Sequence, residues 1–162
     1  SGENYLALNP KGYVPALLLD DGELLTEGAI ISKYVADLRP DARLIPPFGT
    51  FARVRVEELL HFIATELHKG MSPLYNPKAT EELKESLRER LSQRFGVLAQ
   101  AVEGKRYLTG EDFTIADGYA YYVLRAWQVI AKVDLSQVPV LQQYFQRLGE
   151  RPSIQAAVAA QS

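Results

Sequence analysis

The chain has 162 residues, 47% of them apolar and 23% charged, with 18 Lys and Arg against 20 Asp and Glu. That balance is ordinary for a globular protein, and a net charge of −2 gives neither nucleic acid nor an anionic membrane an electrostatic reason to bind. No apolar run approaches the roughly 20 residues of a spanning helix, and the absence of cysteine excludes disulfides, thiolate metal sites and a cysteine nucleophile within these residues.

Residues 9–30, NPKGYVPALLLDDGELLTEGAI, read as loop, strand, tight turn, strand and helix start. Asn9, Pro10, Lys11 and Gly12 are turn formers. Val14 to Leu19 reads as a short strand, Asp21-Gly22 as a hairpin turn, and Glu23 to Thr26 as the returning strand. Apolar residues on both faces of 14–19 predict a central strand, and a two-stranded hairpin alone is marginal, so further strands are expected beside it. Pro15 heads that run, where it cannot donate a ladder hydrogen bond. A cis Val14–Pro15 bond is one geometry that would place it there. Thr26 is positioned to cap a helix over 27–38 with Glu27 in its first turn, at the end where the dipole favours an acid. Ile30, Ile31, Tyr34, Val35 and Leu38 give that helix an apolar stripe to pack on the hairpin.

Arg39-Pro40 stops the helix, and 39–49, with prolines at 40, 46 and 47, reads as a linker. Everything beyond is helical. Residues 50–69 place Val56, Leu59, Leu60, Ile63 and Leu67 on one face, and Gly70 with Pro73 ends the run. Residues 79–102 carry Leu83, Leu87, Leu91, Phe95, Leu98 and Val102 at helical spacing, which predicts an antiparallel pair with the preceding helix. Thr114-x-x-Asp117 is a capping box in front of a helix over 115–131 that is apolar nearly all round, hence central. Two shorter helices, 138–148 and 153–160, finish the chain. The fold class is α+β, with units at 1–38 and 50–162 joined by the 39–49 linker.

NPKGYVPAL followed by LTEGAIISKYVAD, together with TELHKG and TIADGYAYYVL, resembles the glutathione transferases, and more narrowly their bacterial beta class. The resemblance implies a partial thioredoxin-like glutathione-binding domain, a β-hairpin plus a helix, followed by the family's all-α C-terminal domain. Nothing corresponds to the strand–helix–strand that opens the family's first domain, so the chain is expected to lack that piece. The resemblance also implies glutathione as co-substrate. The main chain of Val14, before Pro15, would pair with its cysteinyl part. Glu27 and Gly28 would receive its γ-glutamyl end, the carboxylate facing the amine and the helix amides facing the carboxylate. His68, with Lys69 beside it, would face the thiol and favour thiolate, and Glu66 would reach the neighbouring subunit's glutathione in a homodimer.

The plainer readings are that Glu27 is a helix-start acid and that His68 and Lys69 are cations at a helix C-terminus. Tyr119, Tyr121, Tyr122 and Trp127 read as core, with some able to line a site for an electrophile. His61 and His68 share a face, but no third ligand falls at a fitting spacing, so no metal is expected. Two functions are open. One is a cytoplasmic, homodimeric transferase that conjugates glutathione to electrophilic small molecules, with thiol transfer or peroxidase chemistry as variants. The alternative is a transferase-like module for binding or dimerisation without chemistry.

Overall fold

The computed structural model describes residues 4–161; residues 1–3 and 162, which end the two expected units, lie outside the described residues. A short helix not anticipated from sequence, α1 (Tyr5–Leu8), begins at Asn4, whose side chain accepts from the Leu6 N–H. β1 (Ala16–Leu18) and β2 (Leu24–Thr26) pair antiparallel with Leu17 opposite Leu25. Gly22, at φ +88°, makes the turn that returns its N–H to the Leu19 carbonyl at 2.9 Å. The hairpin is where the sequence puts it, but the strand is not central. Among the described residues β1 pairs only with β2, so Val14 is 78% and Leu18 57% exposed.

α2 (Gly28–Asp37) starts after Glu27, not after Thr26. Thr26 closes β2 instead, and its hydroxyl accepts from the Lys11 ammonium at 2.9 Å. The expected burial of α2 is also overturned. Ile30, Tyr34, Val35 and Leu38 are exposed, and the helix turns Ala29 and Ala36 inward, where small side chains let it approach both the hairpin and the helical part.

α3 (Phe51–Phe62) is capped by Thr50, whose hydroxyl accepts from the Arg53 N–H. It does not run on as regular α-helix to residue 69. It widens into a π-turn over Ile63–His68 before α4 (Lys69–Met71). Val56, Leu60, Ile63 and Leu67 are buried as the stripe predicts. Gly70 lets α4 close on the next helix, because a Cβ there would stand 3.0 Å from Leu91 Cδ2. α5 (Glu81–Val102) buries Leu91, Phe95, Leu98 and Val102 but leaves Leu83 half exposed, so only the C-terminal part of its stripe is core.

α6 (Ile115–Ile130) runs through the centre, with Ala116, Ala120, Val123, Leu124 and Trp127 buried; its Tyr122 and Val129 are exposed, so it is not enclosed all round. α7 (Pro139–Gly149) packs on α5 and α6, and α8 (Pro152–Ala159) comes after it. The Asp117 carboxylate, fully buried, accepts from Leu108 N–H, Thr114 N–H, the Thr114 hydroxyl and the Tyr144 hydroxyl at 2.7–3.0 Å. Among the described residues no helix is long and apolar enough to cross a membrane.

Arg53 ties the two parts together. Its nearly buried guanidinium donates to both oxygens of Asp37 on α2, at 2.8 and 2.7 Å, and to Glu57 at 3.2 Å. Lys33 of α2 closes the set onto Glu57 at 2.6 Å.

Candidate functional site

The loop before β1 is shaped by a buried amide. Asn9, 2% exposed, donates through Nδ2 to the Tyr13 carbonyl at 2.8 Å and accepts at Oδ1 from the Lys11 N–H at 3.2 Å. The Tyr5 hydroxyl donates to the same Tyr13 carbonyl at 2.6 Å. This bracing leaves Val14 standing out, with its main chain in no hydrogen bond among the described residues. The Val14–Pro15 bond is cis, as the placement of Pro15 suggested.

Glu27 lies within electrostatic reach of Tyr119 on α6. Its φ of 71° and ψ of 108° lie where a non-glycine residue is rarely found, a conformation that clusters at functional sites. No side chain caps α2, so its first amides meet no acceptor from a cap. A carboxylate beside uncapped helix amides offers each sign of a zwitterion a partner. The Glu27 carboxylate holds Lys11, whose Nζ lies 3.2 Å from Oε1.

The third contribution comes from the π-turn. π-turns inside α-helices frequently mark functional positions, because they rotate the next side chains off the regular face. Here His68 emerges half-buried against α6. Its Nδ1 lies 2.8 Å from the Tyr119 hydroxyl, and its ring meets Tyr119 and Tyr122 edge-on at centroid distances of 5.7 and 5.1 Å. Burial, and then the Lys69 charge, push the His68 pKa below its ordinary value. Burial pushes Tyr119 up to about 12, with further contributions from Tyr122 and from Glu27. Burial likewise raises Tyr75, again with Tyr122 adding to it. Lys69 Nζ stands 5.1 Å from the centroid of the Tyr13 ring, which links the braced loop to the π-turn.

A chain of contacts joins the expected site residues: Gly28 lies against the Pro15 ring, the Glu27 charge acts on Tyr119, Tyr119 meets His68, and Lys69 meets Tyr13, the residue before Val14. Glu66 stands apart, paired with Arg94 of α5 at 3.0 Å; the contact is close but poorly aligned, since Arg94 Nε makes no well-angled hydrogen bond. A cleft of about 1000 Å³ bordered by Ile45, Phe48 and Leu108 contains none of these side chains. Of the four aromatic candidates on α6, Trp127 is core against Phe95 and Tyr121 stacks on Phe145. Tyr119 and Tyr122, three residues apart and so on one helix face, turn to the His68 ring. Asn9 escaped sequence reasoning because it passed for an ordinary turn residue, and Tyr13 because it fits no local pattern.

Residues 62–152 match the family profile for the glutathione S-transferase C-terminal domain, and residues 1–43 that for the N-terminal domain. Glutathione S-transferase GstA of Escherichia coli O157:H7 is 44% identical over 161 residues, which are 99% of this chain and 80% of that protein. The ternary complex of BphK, a bacterial transferase, superposes with a TM-score of 0.93 at 44% identity over 98% of this chain and 79% of its own. A sphingomonad glutathione S-transferase complexed with glutathione gives 0.91 at 36% identity, with the same shares covered. The bacterial beta-class enzyme of Sphingomonas chungbukensis gives 0.91 at 38% identity over 98% of this chain and 79% of its own.

Proposed function

The chain belongs to the glutathione S-transferase family, and on that premise we propose that a groove between these residues binds glutathione, with the γ-glutamyl end at Glu27 and the thiol at His68. It is a transferase that uses glutathione as co-substrate, and its relatives lend no support to a module without chemistry. The observation that supports the placement is that two backbone features stand without a partner among the described residues, the Val14 main chain and the uncapped start of α2, while the Glu27 charge acts on Tyr119, the residue that holds the His68 ring.

Glu27 takes the ligand amine and the α2 amides its carboxylate. The Val14 N–H and C=O run beside the cysteinyl residue as a short strand would. That brings the sulfur toward His68 and Lys69. A free thiol titrates at about 8.5, so thiolate at neutral pH needs donors or positive charge beside it. An electrophilic carbon then accepts the sulfur lone pair. A C–S bond forms as the leaving group departs with its electrons, or as an activated alkene takes up a proton. Tyr75, Tyr119 and Tyr122 give the electrophile an aromatic wall with polar tips.

Glu27→Gln tests the assignment. It keeps size and helix propensity but removes the charge that meets the amine. A hydrogen bond to a charged group is worth about 1.5–3 kcal/mol, so calorimetry is expected to show glutathione binding weakened by about one to two powers of ten. Unchanged affinity would reduce Glu27 to a helix-start acid.

The protein is further proposed to act as a homodimer joined along α3 and α5. These helices expose Phe51, Val54 and Val97, and the Glu66–Arg94 pair links the π-turn to α5. Re-pairing across the two-fold would let Glu66 reach the neighbour's ligand. Light scattering at micromolar concentration checks this, and a monomer would contradict it. A cytoplasmic location is the matching proposal, because that compartment keeps the glutathione thiol reduced; fractionation of cells producing the protein reads it directly.

A further inference from the structure

We propose that Tyr119 is a positioning residue that fixes the proton of His68: its hydroxyl donates to Nδ1, so the imidazole keeps its one proton on Nε2 and offers the groove an N–H in place of a lone pair. The proposal goes one step beyond the placement of the thiol at His68, and its effect on the sulfur rests on that placement.

The geometry leaves two arrangements for the 2.8 Å contact between Nδ1 and the hydroxyl. Either the phenol donates to the ring nitrogen, or the ring N–H donates to the phenol oxygen. An imidazole nitrogen is a far stronger base than a phenol oxygen, so O–H···N is the better bond of the two. Among the described residues the Tyr119 hydroxyl makes no other hydrogen bond, and the second arrangement would leave its proton without a protein acceptor. The charged and titratable groups around the ring agree. Lys69 on the His68 side disfavours a second proton on the imidazole, and burial acts in the same direction. From α6, Tyr119 and Tyr122 face the ring, both phenols; Tyr75 lies within electrostatic reach of Tyr122, and the Glu27 charge raises the Tyr119 pKa further. The ring is therefore neutral at pH 7, with a phenol that stays protonated on one nitrogen and a single N–H on the other.

This decides what His68 does. A base with a free Nε2 lone pair would take the thiol proton and become cationic. An Nε2–H cannot take that proton; it stabilises sulfur that has already lost it, as an uncharged hydrogen-bond donor. Support for the thiolate would then persist above the imidazole's own titration, on into the alkaline range.

Nitrogen-detected NMR of the imidazoles in the unliganded protein tests the tautomer without reference to any ligand, with the exposed His61 as internal control. The expected spectrum shows His68 as the Nε2–H form; a dominant Nδ1–H form overturns the proposal. The second measurement tracks the ultraviolet absorbance of bound glutathione thiolate against pH in the wild type, Tyr119→Phe and His68→Gln. Tyr119→Phe keeps the ring contact and removes only the hydroxyl. It is expected to move the thiolate midpoint up by about half to one pH unit, a three- to tenfold loss of thiolate below the midpoint, with KM for glutathione nearly unchanged. A shift in His68→Gln but none in Tyr119→Phe overturns the role given to Tyr119. If His68→Gln leaves the midpoint where it was, the placement of the thiol fails, and the tautomer is then decided by the NMR spectrum alone.

Discussion

The two ends of the molecule solve different problems with the same kinds of residue. The helical part buries apolar surface and satisfies the buried carboxylate of Asp117 completely, with four donors inside the core. Among the described residues, Ala36 is the one buried apolar residue that precedes Ile45. The hairpin and α2 bury almost nothing, carry a carboxylate at positive φ, and hold their shape through Asn9 and through the Arg53 clamp. Stability is thus concentrated in the helical part, while the hairpin and the start of α2 carry polar groups that burial does not hold in place. Damage to the first is expected to unfold the protein, and damage to the second to change what it binds.

The largest effect is expected where a buried network would be cut. Asp117→Ala leaves the Leu108 and Thr114 N–H groups and the Tyr144 hydroxyl without their acceptor inside the core. Each orphaned group costs about 1–3 kcal/mol and the costs do not simply add, so a loss of about 4 kcal/mol or outright failure to fold is expected in a denaturant melt. A loss below about 1 kcal/mol would mean that water replaces the carboxylate and that the centre is less dry than its packing indicates. The same network predicts alkaline sensitivity. Burial, and then Asp117, hold the Tyr144 pKa well above its usual value. The unfolded chain therefore loses this proton first, and stability falls as pH rises past about 10.

An intermediate effect is expected at the clamp between the regions. Arg53→Ala removes the donor shared by Asp37 and Glu57, which are exposed enough to rehydrate, so the cost is expected near 2 kcal/mol and not at the upper end for buried pairs. The loss should be local. Hydrogen exchange of the α2 amides is expected to speed up by about thirtyfold while α6 changes little. Acid does the same without a mutation. Arg53 is the first cause of the lowered Asp37 pKa, and Lys33 of the lowered Glu57 pKa. Both carboxylates stabilise the folded state above their ordinary range near pH 4, and that contribution disappears as pH falls through their depressed values. Uniform acceleration of exchange throughout the chain would show that the two regions unfold as one.

This difference also governs how much of the molecule is legible in its residues. The helices can be read from periodicity, since Val56, Leu60, Ile63 and Leu67, or Leu91, Phe95 and Leu98, repeat on one face and are buried. Periodicity cannot see the π-turn at 63–68, whose extra residue per turn leaves Ile63 and Leu67 buried while re-aiming His68. It also misjudged α2, where Ile30 and Val35 signalled burial but Ala29 and Ala36 made the contact. The hairpin and the Val14–Pro15 geometry were legible from Asp21-Gly22 and from the odd position of Pro15. Capping at Thr26 was not, because Lys11 claims its hydroxyl from fifteen residues away. Long-range polar partners are the part of a site that a local pattern cannot carry. Arg53 and Asn9, charged and polar and yet buried, belong to the same class.

The smallest effect is expected at Lys11, and its sign is informative. Lys11 Nζ lies 3.2 Å from Glu27 Oε1 and 2.9 Å from the Thr26 hydroxyl, so an ammonium already occupies the side of Glu27 that the ligand amine is proposed to take. Both side chains are more than half exposed, and an exposed pair of this kind is worth about 0.2–1 kcal/mol. Binding glutathione must first displace it. Lys11→Ala removes the competitor and leaves Glu27, Gly28 and the α2 amides in place. Calorimetry at low ionic strength is therefore expected to show glutathione bound more tightly, by no more than about fivefold. The gain should shrink as added salt screens the wild-type pair. Weaker binding in Lys11→Ala would mean that the ammonium swings from Glu27 onto the ligand carboxylate, a contact of its own. In that case the polar region would be built to exchange partners, whereas the helical core is built to keep them.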